Sequence, residues 1–107
     1  MAHYLVQVAY TPEAWANLVA NPHNRLEALK PVLKKLGAKF EAGWFAFGEY
    51  DVVAILNAPD NISAGAFAVA AAAGGAVKAL KTTPLMSMED GMEVLKKAAA
   101  CGYKPPQ

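Results

Sequence analysis

Only one cysteine, Cys101, stands among the 107 residues, so no disulfide can form within the chain. Charge is scarce as well. Asp, Glu, Lys and Arg make up 18% of the sequence, against a usual share of about 25%. The ten Lys and Arg residues are scattered and nearly balanced by nine acids, for a net charge of +1. No basic stripe interleaved with aromatics appears, which argues against a nucleic-acid partner. Long apolar runs are missing too. The least polar stretch, Ala64 to Val77, is mostly alanine, holds three glycines and is too short to span a bilayer, which argues against a membrane. The chain reads as strand almost from its first residue, leaving no charged-then-apolar leader. Together these features predict a cytoplasmic protein. Two histidines far apart in sequence and one late cysteine give no metal-ligand spacing. No glycine-rich phosphate loop precedes a helix at the right distance, so no cofactor is implied.

What is present is apolar. Hydrophobic residues account for 55% of a chain whose length allows one domain with one core. The domain is expected over residues 1–104, with 105–107 as a tail. So thin a polar surface on so small a body hints at subunit contacts that hide apolar area.

His3 to Tyr10 has the β-branched and aromatic make-up of a first strand, with Tyr4, Val6, Val8 and Tyr10 on one side and His3, Leu5, Gln7 and Ala9 on the other. Thr11-Pro12 opens a helix to Ala20, Thr11 as N-cap and Pro12 at the first helical position. Leu26, Leu29, Leu33 and Leu36 recur at helical spacing between about Asn24 and Leu36. Pro31 predicts a kink or a fresh start within that stretch, and Gly37 its end. Lys39 to Phe47 and Tyr50 to Asn57 read as strands joined by the structural turn Gly48-Glu49, a two-residue type II′ hairpin with glycine first. That register puts Phe45, Phe47, Tyr50, Val52 and Leu56 on one face, and Phe40, Trp44, Val53 and Ile55 on the other with Asp51 at its end. A helix from Ile62 to Ala73 follows, then a strand from Ala76 to Thr83 broken by Pro84. A capping box at Ser87 opens a last helix, whose buried stripe is expected from Met88, Met92, Leu95 and Ala99.

This order predicts an α+β fold: a ferredoxin-like βαββαβ sandwich, its four-stranded antiparallel sheet carrying helices on one face, plus a C-terminal helix. The first and third strands are expected at the centre. Two principal helices cover one sheet face, yet the hairpin is apolar on both. The second face therefore needs a cover, either the last helix of the same chain or another subunit. Another subunit is the expectation, in a homodimer or a larger ring.

The segment Phe45-Ala46-Phe47-Gly48-Glu49-Tyr50-Asp51-Val52-Val53 resembles the hallmark hairpin of the GYD-domain family, here carried by Gly48, Tyr50 and Asp51. The opening Tyr4-Leu5-Val6-Gln7 strand agrees with it. So do the glycine-bearing helix before Lys81-Thr82-Thr83-Pro84-Leu85 and the Met88-Glu89 helix start. The resemblance covers nearly the whole chain. It implies a compact bacterial domain of the ferredoxin-like or dimeric α/β-barrel kind, with no established activity and no catalytic residues to carry over.

Several polar residues are candidates for chemistry, each with a plainer alternative. Asp51 is either a hydrogen-bond acceptor at the hairpin mouth or a base at a cavity edge, with Tyr50 beside it. His3 is either solvated near the terminus or, if its face coincides with that of Asp51, a partner in proton transfer. Gln7, Trp44 and Lys81 are candidate ligand contacts; Trp15 and Trp44 serve equally as core or interface anchors. Cys101 has no evident base beside it. Three functions stand open: an oligomeric module, structural or binding a small apolar molecule; a cofactor-free enzyme using His3, Tyr50 or Asp51 on a small hydrophobic substrate; or a regulatory domain that senses a metabolite.

Overall fold

A computed structural model describes residues 1–106. In chain order the elements are β1 (Ala2–Tyr10), α1 (Pro12–Ala20), α2 (Arg25–Ala28), α3 (Lys30–Lys35), β2 (Lys39–Phe45), β3 (Val52–Ala58), α4 (Asn61–Ala73), β4 (Val77–Leu85) and α5 (Met88–Ala100). The strands form one antiparallel sheet in the order β2-β3-β1-β4, with the first and third strands central. This is the α+β architecture expected from the element order.

Local sequence explains most boundaries. The Thr11 hydroxyl accepts the Ala14 N–H at 3.1 Å, with Pro12 in the first turn of α1. The helical stretch after Asn24 is divided at Leu29, so that Pro31 begins α3 where its missing N–H costs nothing. Gly37 then turns the chain with a φ of 68°, a conformation other residues resist. Asp60 caps α4 by accepting the Ser63 N–H at 2.9 Å, and Ser87 caps α5 by accepting the Asp90 N–H at 3.0 Å.

One side of the sheet carries the core: Tyr4 and Val6 from β1, Leu56 and Ala58 from β3, Leu33 from α3, and Ala64 and Phe67 from α4. The Tyr4 hydroxyl, reaching through this core, donates to Asn61 Oδ1 at 2.6 Å and ties β1 to the start of α4. Alanines on α4 let it lie close to β3 and β4.

Four expectations need correction. Phe40 was placed beside Trp44 on the face away from Leu56. Instead Phe40 pairs with Leu56 and Ala42 with Ile55, leaving Glu41 as a bulge that shifts the alternation by one. Phe40 therefore joins the core and meets Phe67 edge-on at 5.8 Å. The Gly48-Glu49 turn is not type II′, because Gly48 lacks the positive φ that turn demands. Strand pairing ends at Phe45 and Val52, and one further bond, from the Ala46 N–H to the Asp51 carbonyl at 2.8 Å, closes a wider loop. Pro84 does not break β4. It pairs with Tyr4 on an edge strand, where a missing N–H can face outward.

The fourth correction concerns α5. Its apolar stripe is not buried: Met88, Met92 and Leu95 are all exposed, and no residue of the helix is buried. The helix projects from the body. The radius of gyration is 17.1 Å, where a compact chain of this length gives about 13 Å. The second face of the sheet, with Leu5, Val53, Ile55 and Trp44, is thus left without a helical cover from its own chain. None of the helices among the described residues is long and apolar enough to cross a membrane.

Candidate ligand-binding cleft

Between the helices and the β1–β3–β4 part of the sheet lies a cleft of about 360 Å³. Its floor is β-sheet (Val6, Val8, Val52 and Ala54), and its walls come from Leu29 on one side and Phe67 on the other. It exists because the helix layer is made of pieces. The break between α2 and α3 and the small side chains of α4 leave space that longer residues would fill. At one end it opens past Tyr10, Arg25 and Leu26 into an outer hollow of about 540 Å³, walled by His23, Gly43, Trp44 and Phe45. The Leu26 side chain lies over Gly43 so closely that a Cβ at that position would push its terminal methyl aside.

The inner cleft is apolar apart from two side chains at its mouth, Tyr10 and Arg25. Burial, the largest influence, pushes the Tyr10 phenol above its ordinary pKa. The Arg25 charge opposes that rise and the Asp51 charge adds to it. Trp15 meets Tyr10 edge-on at 5.3 Å and lies 6.1 Å from Phe45, so three aromatic rings brace this end of the sheet. Arg25 Nη1 lies 3.5 Å from His23 Nε2, and among the described residues no carboxylate forms an ion pair with the guanidinium.

Asp51 is held by three hydrogen bonds. Its carboxylate Oδ2 accepts the Tyr10 N–H at 2.8 Å, its own N–H donates to the Val8 carbonyl at 2.7 Å, and its carbonyl accepts the Ala46 N–H. The carboxylate bond comes where the β1–β4 register slips between Ala9 and Tyr10. Asp51 thus fastens the β2–β3 loop to the end of β1. Replacing it with alanine is expected to cost about 1–2 kcal/mol, since a backbone N–H loses a charged acceptor. Asp51→Asn, which keeps an acceptor oxygen, should cost less. Urea midpoints of the two variants check this, and an unshifted midpoint for Asp51→Ala would count against the clamp.

His3 is at the far end of β1, paired in register with Asn57, and its Nε2 lies 3.5 Å from Glu41 Oε2. Five residue steps along the strand, at about 3.3 Å each, separate His3 from Val8, whose carbonyl accepts the Asp51 N–H. The structure does not bring His3 and Asp51 together. It does bring together the three candidate ligand contacts. Trp44, Val53, Gln7 and Lys81 form one cross-strand row on the open face. Gln7, Tyr50, Val53 and Lys81 line a separate depression with Phe47, Gly48 and Glu49 at its edge. Cys101 is exposed past the end of α5. No three His, Cys, Asp or Glu side chains among the described residues are placed to hold a metal ion.

Sequence reasoning missed Tyr10 and Arg25. One signal for Arg25 was available: it is the chain's only arginine, among nine lysines, and it follows a helix-capping asparagine. The alternation of β1 puts Tyr10 on the same side as Tyr4, Val6 and Val8, but nothing in the sequence says that a cleft ends there.

The family model for the GYD domain matches residues 4–95. Neither the curated proteins nor the solved structures contain a significant match.

Proposed function

We propose that this protein, which belongs to the GYD-domain family, is a homo-oligomeric module that binds a small apolar molecule in the cleft between its helices and sheet. The observation that carries the reading is the cleft itself: about 360 Å³ of apolar space with polar side chains only at its mouth, the form that small-molecule sites take. The reading prefers binding to catalysis. The residues that line the cleft include none of His3, Tyr50 and Asp51, and the carboxylate of Asp51 is engaged by the backbone of Tyr10.

Two further surfaces support self-association. The open sheet face presents Trp44, 59% exposed, beside Leu5, Val53 and Ile55. The α5 stripe presents Met88, Met92 and Leu95, all exposed on a helix with no buried residue. Both are apolar, and both belong to every copy. A twofold pairing of open faces, with each α5 laid on the other subunit, covers them together.

Native mass spectrometry of the purified protein tests both halves. The expected result is a mass of at least twice the 11.3 kDa chain, with a small organic molecule retained in part of the population. A single-chain mass at micromolar concentration would overturn the oligomer. A cleft that takes up no apolar compound, even when soaked with one in excess, would overturn the binding role.

A further inference from the structure

Resting on the reading of the cleft as a binding site, we propose that its ligand is an amphipathic carboxylate, with an apolar body in the inner cleft and its anion held at the mouth by Arg25. The inner space admits only an apolar group. Its lining supplies a β-sheet floor and the aromatic edges of Phe40 and Phe67, and no carboxylate. At the mouth stands one permanent cation. Arg25 is half-buried and borders both the inner cleft and the outer hollow. Its guanidinium is not matched by any acid: the three ion pairs among the described residues are His3–Glu41, Lys30–Glu27 and Lys96–Glu93. Among the described residues its side chain reaches only the His23 ring for hydrogen bonding, at 3.5 Å, the limit for such a bond.

A guanidinium that is drawn partly out of water, and given no protein anion, gains most from a planar ligand that accepts two parallel N–H bonds. The Tyr10 hydroxyl at the same mouth makes no hydrogen bond to the described residues and is free to donate a third bond. Burial favours its protonated form, so it is a donor across the ordinary pH range. Nothing acidic lines the inner cleft to repel the anion. Asp51, whose carboxylate accepts the Tyr10 N–H, lines neither the inner cleft nor the outer hollow. A neutral ligand of the same shape fills the cleft equally well but leaves Arg25 unmatched. That difference is where selectivity arises.

The test compares 4-phenylbutanoate with 4-phenylbutanol and 4-phenylbutanamide by titration calorimetry on the full chain, with three variants. Arg25→Met keeps the apolar stem without the charge, Arg25→Lys keeps the charge, and Val32→Trp fills the cleft from a residue on its rim that is 43% exposed. The expected result is that the carboxylate binds about tenfold to a hundredfold more tightly than the alcohol or the amide. Arg25→Met should erase that preference, Arg25→Lys retain part of it, and Val32→Trp block all three ligands. Equal binding of all three, blocked by Val32→Trp, would overturn the carboxylate and leave the cleft. So would a carboxylate preference that survives in Arg25→Met. Binding of none of the three at millimolar concentration would overturn the cleft reading along with the inference.

Discussion

Leu56→Ala is expected to lower the stability of the folded chain by about 2–5 kcal/mol. Leu56 is 0% exposed on the central strand β3, between Tyr4 of β1 and Phe40 of β2 in register. Removing its branched end takes away the transfer energy of the lost carbons and leaves a void that a strand paired on both sides cannot move to close. Phe40 and Phe67, whose rings meet edge-on beside it, are the side chains most able to relax. They also line the cleft, so their shift should loosen that wall. Whole domains are stable by only about 5–15 kcal/mol. The variant is therefore expected to unfold at a markedly lower urea midpoint with an unchanged slope. A loss under about 1 kcal/mol would mean that the core is not packed around this residue as described.

The order of elements was legible because each boundary has a local cause. Thr11-Pro12, Gly37, Asp60 and Ser87 act within one turn of helix, and the structure uses every one of them. What failed depends on distance. The bulge at Glu41 arises from pairing with β3, and nothing within β2 marks it, so Phe40 was assigned to the wrong face. The turn at Gly48 was read from its own two residues. Its actual shape follows from Asp51, which is pulled toward the Tyr10 N–H of a different strand. Pro84 looked like a strand breaker until the topology made β4 an edge. The stripe on α5 was correctly read as apolar, but a stripe says only that a helix wants a partner, and this one finds none in its own chain. The mouth of the cleft was invisible for the same reason: Tyr10 and Arg25 are fifteen residues apart and meet only when α2 comes to rest over the end of β1.

Ile55→Lys is expected to have the opposite signature to Leu56→Ala, although the two residues are adjacent. Ile55 faces the open side of the sheet, in register with Leu5 and Ala42. In a lone chain a lysine there extends its ammonium into water. The cost is then only the difference between a β-branched residue and a straight one in a strand, under about 1 kcal/mol. In a twofold pairing of open faces the same change buries one ammonium from each subunit near the centre of the contact. The carboxylate that reaches that face, Glu41, already lies 3.5 Å from His3 Nε2, while Lys39 and Lys81 on the same face add charge of the same sign as the new ammonium. An unpaired buried charge costs about 3–5 kcal/mol, which corresponds to at least a hundredfold weaker association. If the proposed pairing holds, light scattering should report a dimeric mass for the unaltered protein and a single-chain mass for Ile55→Lys at the same concentration, with the far-ultraviolet circular dichroism of the two indistinguishable. A variant that keeps its dimeric mass would place the contact elsewhere and leave α5 as the remaining route to self-association. If instead the circular dichroism collapses, the open face would be holding the fold of each chain, and the separation of one face for folding from the other for assembly would not stand.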